Sequence, residues 1–389
     1  MVWVIVLFVI LTIAYAFIIE SYKKHWDALA TYRPAGMPHH TYISVIVAAR
    51  NEEHTISRLL DSILNQDYAK DQYEIVIVDD HSDDGTFEIV STYAATHPNV
   101  HLISLSQHLD ASDNIIAFKK KAIETGIQMS KGQLIVTTDA DCIAEPKWLS
   151  TINSYYIDTG AKCIAAPVRI DPGKSLLSVF QSLDFLTLQG ITAAAVSSKL
   201  HMMCNGANFI YERKAFDEVN GFEGIDSIPS GDDMLLMQKI FELYPNGVYY
   251  LKSEEAIIRT DAAESWKKFF QQRIRWASKT GHYRDKKIFN ILLSVYLYNV
   301  MFLIAAAMVM YFEKGFVLWC CFLLLKILIE YPFVARVASF FRLQRLMIYF
   351  SFMQPLHILY TIIAGFLGKF GSYEWKHRKV IVQAKANNS

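Results

Sequence analysis

The run from Val2 to Ile19 carries no charged side chain, and this constrains the chain more than any other feature. A stretch of roughly 20 apolar residues is what the hydrocarbon core of a bilayer demands, and there only a helix satisfies its own backbone groups. The triplet Ala14-Tyr15-Ala16 has the small-x-small form of a signal-cleavage site, but no basic residue precedes the run, and Lys23 and Lys24 follow it. The expectation is an uncleaved transmembrane anchor over residues 1–22, with its C-terminal side cytoplasmic.

Three further apolar blocks lie near the other end: Ile291 to Phe312, Gly315 to Val334 (interrupted by Lys326 and Glu330) and Leu346 to Leu367. Buried core helices are the alternative reading. The near absence of a polar face on the first and third favours membrane helices over residues 288–370. Three full crossings would leave the basic tail, 371–389 with Lys376, Arg378 and Lys379, on the outer side, against the usual bias of basic residues. Gln354-Pro355 interrupts the last block, so a re-entrant or interfacial segment is the expectation there.

Between these ends, residues 40–285 read as a soluble domain. Lys plus Arg and Asp plus Glu both number 38, so net charge gives no reason to expect a nucleic acid or another polyanion as partner. The five cysteines form no Cys-x-x-Cys pair, which argues against a zinc site and a disulfide framework. Cys142, Cys163, Cys204, Cys320 and Cys321 read as small apolar fillers, and Arg33 to His40, with two prolines, as a linker.

The middle stretch changes period repeatedly. Tyr42 to Ala48 is rich in β-branched residues; then Ile56, Leu59, Leu60, Ile63 and Leu64 fall on one helical face. Glu74 to Val78 is again a strand, "DDHSDDGT" a loop and Phe87 onward a helix. Lys119 to Met129 is helical, Lys131-Gly132 closes it, and Leu134 to Thr138 is the next strand. Such alternation predicts an α/β fold, a Rossmann-like, mostly parallel sheet covered on both faces.

Ligands of such sheets bind beyond the carboxyl ends of the strands. The three strands end at Arg50-Asn51-Glu52, at Asp79-Asp80 and at Asp139-Ala140-Asp141, so neighbouring strands would crowd carboxylates on one edge. Crowded like charges are costly unless a cation or a donor-rich ligand sits among them. Asp139 and Asp141, two apart, can point the same way and share a metal, or a metal and a ribose; Mg²⁺ or Mn²⁺ takes one or two carboxylates plus substrate phosphates. A solvated strand end is the competing reading.

Lys119, Lys120 and Lys121 are either a solvated helix start or a source of one phosphate-facing charge. In "SGDD", Ser230 to Asp233, a carboxylate either caps the helix that begins at Met234 or serves as a general base held ionised at a helix start. The run "WKKFFQQRIRWASKTGHYRDKK" interleaves aromatic and basic residues, as a helix in a bilayer interface does.

Taken in order, "VAARNEE", "VIVDDHSDDGT", "KKKAIETGI…KGQLIVTTDADC", "NGANFIYERKAFDEVNGFEG", "SGDDMLL" and "QQRIRW" resemble membrane-bound family 2 glycosyltransferases, the group of cellulose, chitin and hyaluronan synthases and ceramide glucosyltransferase. The resemblance spans roughly residues 42 to 283. It implies a GT-A fold flanked by transmembrane helices, a nucleotide-sugar donor (UDP-linked), a divalent metal and inversion at the anomeric carbon.

Position by position it implies that Glu52 and Asp80 contact the nucleoside, Lys119 lies near base or phosphate, Asp139 lies by ribose and metal, and Asp141 coordinates the metal. Asp233 matches the catalytic base. Asp232, one methylene shorter than the family's usual Glu, matches an acceptor contact. Gln272, Arg275 and Trp276 match Gln-x-x-Arg-Trp, where the arginine would meet the diphosphate and Gln272 and Trp276 the acceptor.

The expectation is therefore a hexosyl- or N-acetylhexosaminyltransferase of the plasma membrane, multi-pass, with a cytoplasmic catalytic domain. Its acceptor would be lipid-linked or membrane-embedded. Polymer synthesis with polysaccharide-assembly partners is the alternative, since Gln-x-x-Arg-Trp occurs in polymerases, but few C-terminal blocks are available for a private channel. A nucleotidyltransferase would want a glycine-bearing phosphate loop early in the domain, and "AARNEEHT" has no glycine. A non-catalytic, degenerate domain would not be expected to keep Asp80, Asp139, Asp141, Asp233 and Arg275 together.

Overall fold

A computed structural model describes residues 2–34, 41–109, 116–279, 286–309, 311–375 and 378–381. Most of the expected linker, part of the segment after Trp276, and Lys376 with the end of the basic tail lie outside the described residues. In chain order the elements are α1 (Val2–Ala28), β1 (Ile43–Ala49), α2 (Ile56–Leu64), β2 (Tyr73–Asp79), α3 (Thr86–Thr96), β3 (Val100–Ser104), α4 (Phe118–Met129), β4 (Leu134–Thr137), β5 (Cys142–Ala144), α5 (Trp148–Thr159), β6 (Cys163–Ala165), β7 (Val168–Ile170), α6 (Leu176–Ser197), β8 (Phe209–Glu212), α7 (Arg213–Glu218), α8 (Met234–Leu243), β9 (Val248–Tyr250), β10 (Ile258–Thr260), α9 (Trp266–Ser278), α10 (Lys286–Val309), α11 (Gly315–Phe340), α12 (Met347–Phe370), β11 (Ser372–Trp375) and β12 (Arg378–Ile381). They form two compact units. A helical unit comprises Met1–Leu29, Pro172–His201 and Ala262–Ser389; a sheet unit comprises Ala30–Asp171 and Met202–Asp261.

The sheet unit is built on a sheet of order β3-β2-β1-β4-β8-β6-β9. β1 runs parallel to β2 and β4, and β2 parallel to β3; β8 turns antiparallel to both β4 and β6. Every residue of β2 is buried, and all of β1 except Ala48. Continuous burial is why these strands read as unbroken apolar runs rather than alternating ones. The α2 face Ile56, Leu59, Leu60, Ile63 and Leu64 is wholly buried, as its period requires. A short sheet of order β5-β10-β7 adds to this unit.

In the helical unit, α1, α10, α11 and α12 carry the apolar blocks expected from the sequence. Pro355 lies inside a 24-residue α12, so the expected interruption of that block is not a break in the helix. α6 is a further element that the sequence reading did not anticipate. Five helices are long and apolar enough to cross a membrane: α1, α6, α10, α11 and the segment Gln344–Phe370 containing α12. α6 differs in being mostly buried within the protein, while Phe17, Leu328, Ile348 and Phe352 of other helices are largely exposed, the exposure a lipid-facing surface has.

Lys326 and Glu330, one turn apart on α11, are buried as a pair. Lys326 Nζ donates to Gln354 Oε1 (2.7 Å), Gln354 Nε2 donates to Glu330 Oε2 (2.7 Å), and the Tyr15 hydroxyl donates to Glu330. The charges that interrupt the second block thus join α1, α11 and α12, which explains their place in an apolar helix.

Candidate active site

Because β1 lies between β2 and β4 and parallel to both, all three strands end on the same edge. The Asp80 N–H donates to Ala49 O (2.8 Å) and the Thr138 N–H to Ile46 O (3.4 Å), carrying the ladder to the point where each loop departs. The loops bearing Glu52, Asp80, Asp139 and Asp141 therefore leave the sheet at its carboxyl edge, where α/β sheets bind ligands.

The β1 and β2 loops are tied to each other. Asn51 and His81 both adopt left-handed backbone (φ 54° and 56°), a conformation uncommon for side chains other than glycine. Asn51 N–H donates to Ser82 Oγ (3.0 Å), Asp83 N–H to Asn51 Oδ1 (3.0 Å) and Glu52 N–H to Thr86 Oγ1 (2.8 Å). Glu52 also accepts from Thr55 Oγ1 (2.9 Å) at the start of α2. Asp80 is 2% exposed, with His81 Nδ1 2.9 Å from its Oδ1 and Arg50 Nη1 donating to its carbonyl (2.9 Å). Burial alone would raise Asp84, but the Thr86 hydroxyl and the N–H groups of Thr86 and Glu53 outweigh it and lower its pKa.

Lys119, on the first turn of α4, reaches the carboxylates of the third loop and of the Ser230–Asp233 segment. Its Nζ lies 2.8 Å from Asp139 Oδ1 and 3.2 Å from Asp232 Oδ2. Burial would lower the pKa of this ammonium; Asp139 first, then Asp232, with Asp233 further off, outweigh burial and raise it. Asp233 is held by both oxygens: Oδ2 accepts from Gly206 N–H (3.0 Å) and Oδ1 caps α8 through Met234 N–H (2.7 Å). One Asp233 oxygen thus caps α8 while the other is fixed on the Gly206 N–H. The Gly206 carbonyl in turn accepts from Thr137 Oγ1 (3.2 Å), so the end of β4 and the start of α8 are linked through Gly206.

Among the described residues no cluster of three or more Asp, Glu, His or Cys side chains forms a cation cage. Cys142 directly follows Asp141, with its Sγ 3.7 Å from Asp141 Oδ1; burial, then Asp141 and Asp139, push the thiol up, so it stays protonated and adds no thiolate ligand.

Gln272, Arg275 and Trp276 lie on α9, in the helical unit. The residue between them was read in the sequence only as part of an interfacial face. Arg273 is buried, its Nη2 2.8 Å from Asp184 Oδ2 on α6 and its guanidinium 4.2 Å from the Trp276 ring centroid. Asp184 also accepts from the Tyr360 hydroxyl (2.9 Å) of α12. The available signal was a lone acid in the apolar stretch "LLSVFQSLDFLTLQG", which a buried helix keeps only with a partner.

Glycosyl transferase family 2 matches residues 44–219, and Glycosyl transferase family group 2 matches residues 134–367. The second covers more than half of the chain, which belongs to the family 2 glycosyltransferases. YdaM of Bacillus subtilis (strain 168), named a probable glycosyltransferase, is 26% identical over 243 residues, 60% of this chain and 54% of its own length. The dolichyl-phosphate beta-glucosyltransferase of Dictyostelium discoideum is 36% identical over 114 residues, 27% of this chain and 32% of its own. The chain thus spans about half or less of the curated relatives it matches. Among solved structures, the mannosyltransferase PcManGT of Pyrobaculum calidifontis, in complex with GDP-Man and Mn²⁺, is similar with a TM-score of 0.58 at 18% identity, over 92% of this chain and 98% of its own. That likeness shows the fold: a GT-A sheet with associated apolar helices.

Proposed function

We propose that this chain is a membrane-anchored inverting glycosyltransferase that moves a hexosyl or N-acetylhexosaminyl group from a nucleotide sugar, UDP-linked, to a hydroxyl of a lipid-linked or membrane-embedded acceptor. The carrying observation is the convergence of Lys119, Asp139, Asp232 and Asp233 beyond the carboxyl ends of the strands. The dolichyl phosphate in a relative's name supports a lipid acceptor, and the GDP-Man and Mn²⁺ of the fold neighbour support a nucleotide sugar with a divalent cation.

In this reading Glu52 and Asp80 hold the nucleoside, and Asp139 and Asp141 would hold Mg²⁺ or Mn²⁺, which when bound offsets charge on the departing diphosphate. Lys119 supplies a fixed positive charge on the same side, and Arg275 is assigned to the diphosphate. Asp233 takes the proton of the acceptor hydroxyl as its oxygen bonds to the anomeric carbon. The bond to the diphosphate breaks on the opposite face and its electron pair leaves with the diphosphate, so a single displacement inverts the centre. Asp232, Gln272 and Trp276 are assigned to the acceptor. The catalytic groups act from the cytoplasmic face of the plasma membrane.

The test is product analysis with UDP- and GDP-sugars, Mn²⁺ or Mg²⁺ and extracted membrane lipids. A glycolipid one sugar heavier, with inverted anomeric configuration, is the expected result. A ladder of products would replace single transfer by polymer synthesis with assembly partners, and a retained configuration would contradict the displacement.

A further inference from the structure

Lys120, next to Lys119 on α4, is 2% exposed. Its Nζ donates to the carbonyl oxygens of Ile225 (2.7 Å), Ile228 (2.6 Å) and Ser230 (3.0 Å). An ammonium has three N–H groups, and burying one is costly unless acceptors meet them. Here three carbonyls of one irregular segment do so. The segment lacks helix or strand hydrogen bonds of its own to fix it; it is a chain of turns, Ile225 N–H to Phe222 O (3.0 Å) and Ile228 N–H to Ile225 O (3.2 Å), with left-handed glycines at Gly224 and Gly231. Its start is gripped similarly, by Lys239 of α8, whose Nζ donates to Gly221 O (2.7 Å) and Glu223 O (2.8 Å).

The segment runs directly into Asp232 and Asp233. Two adjacent lysines of one helix therefore act on the same stretch of chain. Lys119 meets the Asp232 side chain, and Lys120 meets the backbone just before it. We propose that Lys120 is a positioning residue, an internal cation that folds residues 225–230 and so sets the aim of Asp233 on the acceptor hydroxyl. This rests on the reading of Asp233 as the base. A rigid support of this kind matters because a displacement of about 1 Å at a reacting group can cost on the order of 100-fold in rate.

The experiment uses the full chain in detergent and compares wild type, Lys120→Met and Asp233→Asn. It follows UDP binding in the presence of Mn²⁺, kcat for metal-dependent nucleotide release with extracted lipids, and amide hydrogen exchange. Lys120→Met is expected to lower kcat on the order of 100-fold, to leave UDP affinity within about threefold, and to speed exchange of residues 222–231 while β1, β2 and α4 keep their protection. Lys120→Gln, one atom shorter and with two donors, is expected to show the same split more weakly and serves if the methionine variant does not fold. Wild-type turnover and exchange in either variant would overturn the proposal, as would loss of UDP binding together with faster exchange throughout the sheet unit. An inactive Asp233→Asn beside a fully active Lys120→Met would overturn the role of Lys120 alone. A fully active Asp233→Asn would overturn the base assignment and the aiming role with it.

Discussion

Lys119 spans 3.2 Å to Asp232 while its nearer partner, Asp139, lies at 2.8 Å, so one ammonium joins the carboxylate after β4 to the one before α8. Because its folded-state pKa is raised, the stability it contributes is fully present below the unfolded lysine value of about 10.4 and is lost only as pH climbs from there through the raised value. Lys119→Met is therefore expected to lower the unfolding temperature by the same amount at pH 7 and pH 9. Thermal unfolding at both pH values checks this; a gap that closes by pH 9 would contradict it.

The Asp184–Arg273 pair, each side chain 3% exposed, anchors α9 from within. Removing one member leaves a buried charge without its counter-ion, which costs about 3–5 kcal/mol, whereas replacing both by apolar residues is often near neutral. Arg273→Met and Asp184→Asn are each expected to destabilise strongly, and Asp184→Leu with Arg273→Leu to recover most of the loss. A double-mutant cycle by chemical unfolding, built from Arg273→Leu, Asp184→Leu and the two together, reads the coupling directly, and additive losses would argue against the pair.

Gly126 packs α4 on the sheet, where an added Cβ would come within 2.7 Å of Ile46 Cγ2 and 3.1 Å of Val78 Cγ2. Alanine gains about 1 kcal/mol over glycine in a helix interior, but overpacking against a buried strand typically costs about 1–3 kcal/mol. The contact should win, so Gly126→Ala is expected to destabilise the sheet unit and to displace the helix that carries Lys119. A variant with a higher unfolding midpoint would contradict that packing.

How much of this was legible depended on whether a residue's partner was near in sequence or already implied by a pattern. β1, β2, β4, α2 and α8 begin within a residue or so of their expected positions, because apolar period and turn residues are local signals. The edge carrying Glu52, Asp80, Asp139 and Asp141 followed from the parallel-strand rule. The grip of Lys120 on Ile225, Ile228 and Ser230 did not, because its acceptors are backbone carbonyls more than a hundred positions away and leave no side-chain signature. α6 was missed for a related reason. Gln181, Asp184 and Gln189 lower its hydropathy below that of a lipid-facing block, yet all three are buried, and Asp184 is partnered by Arg273 of α9, distant in sequence. The Arg273 charge reads as an exposed interfacial face until that partner is seen.

The most direct measurement is nucleotide diphosphate release by the purified full chain with UDP-sugars, Mn²⁺ and membrane lipids, run beside Asp233→Asn and Asp141→Ala. The account predicts metal-dependent release that rises with lipid, a drop of about 10²–10⁴-fold for Asp233→Asn with UDP binding kept, and a higher Mn²⁺ requirement for Asp141→Ala. Release unchanged in Asp233→Asn, or unaffected by metal and by Asp141→Ala, would contradict it.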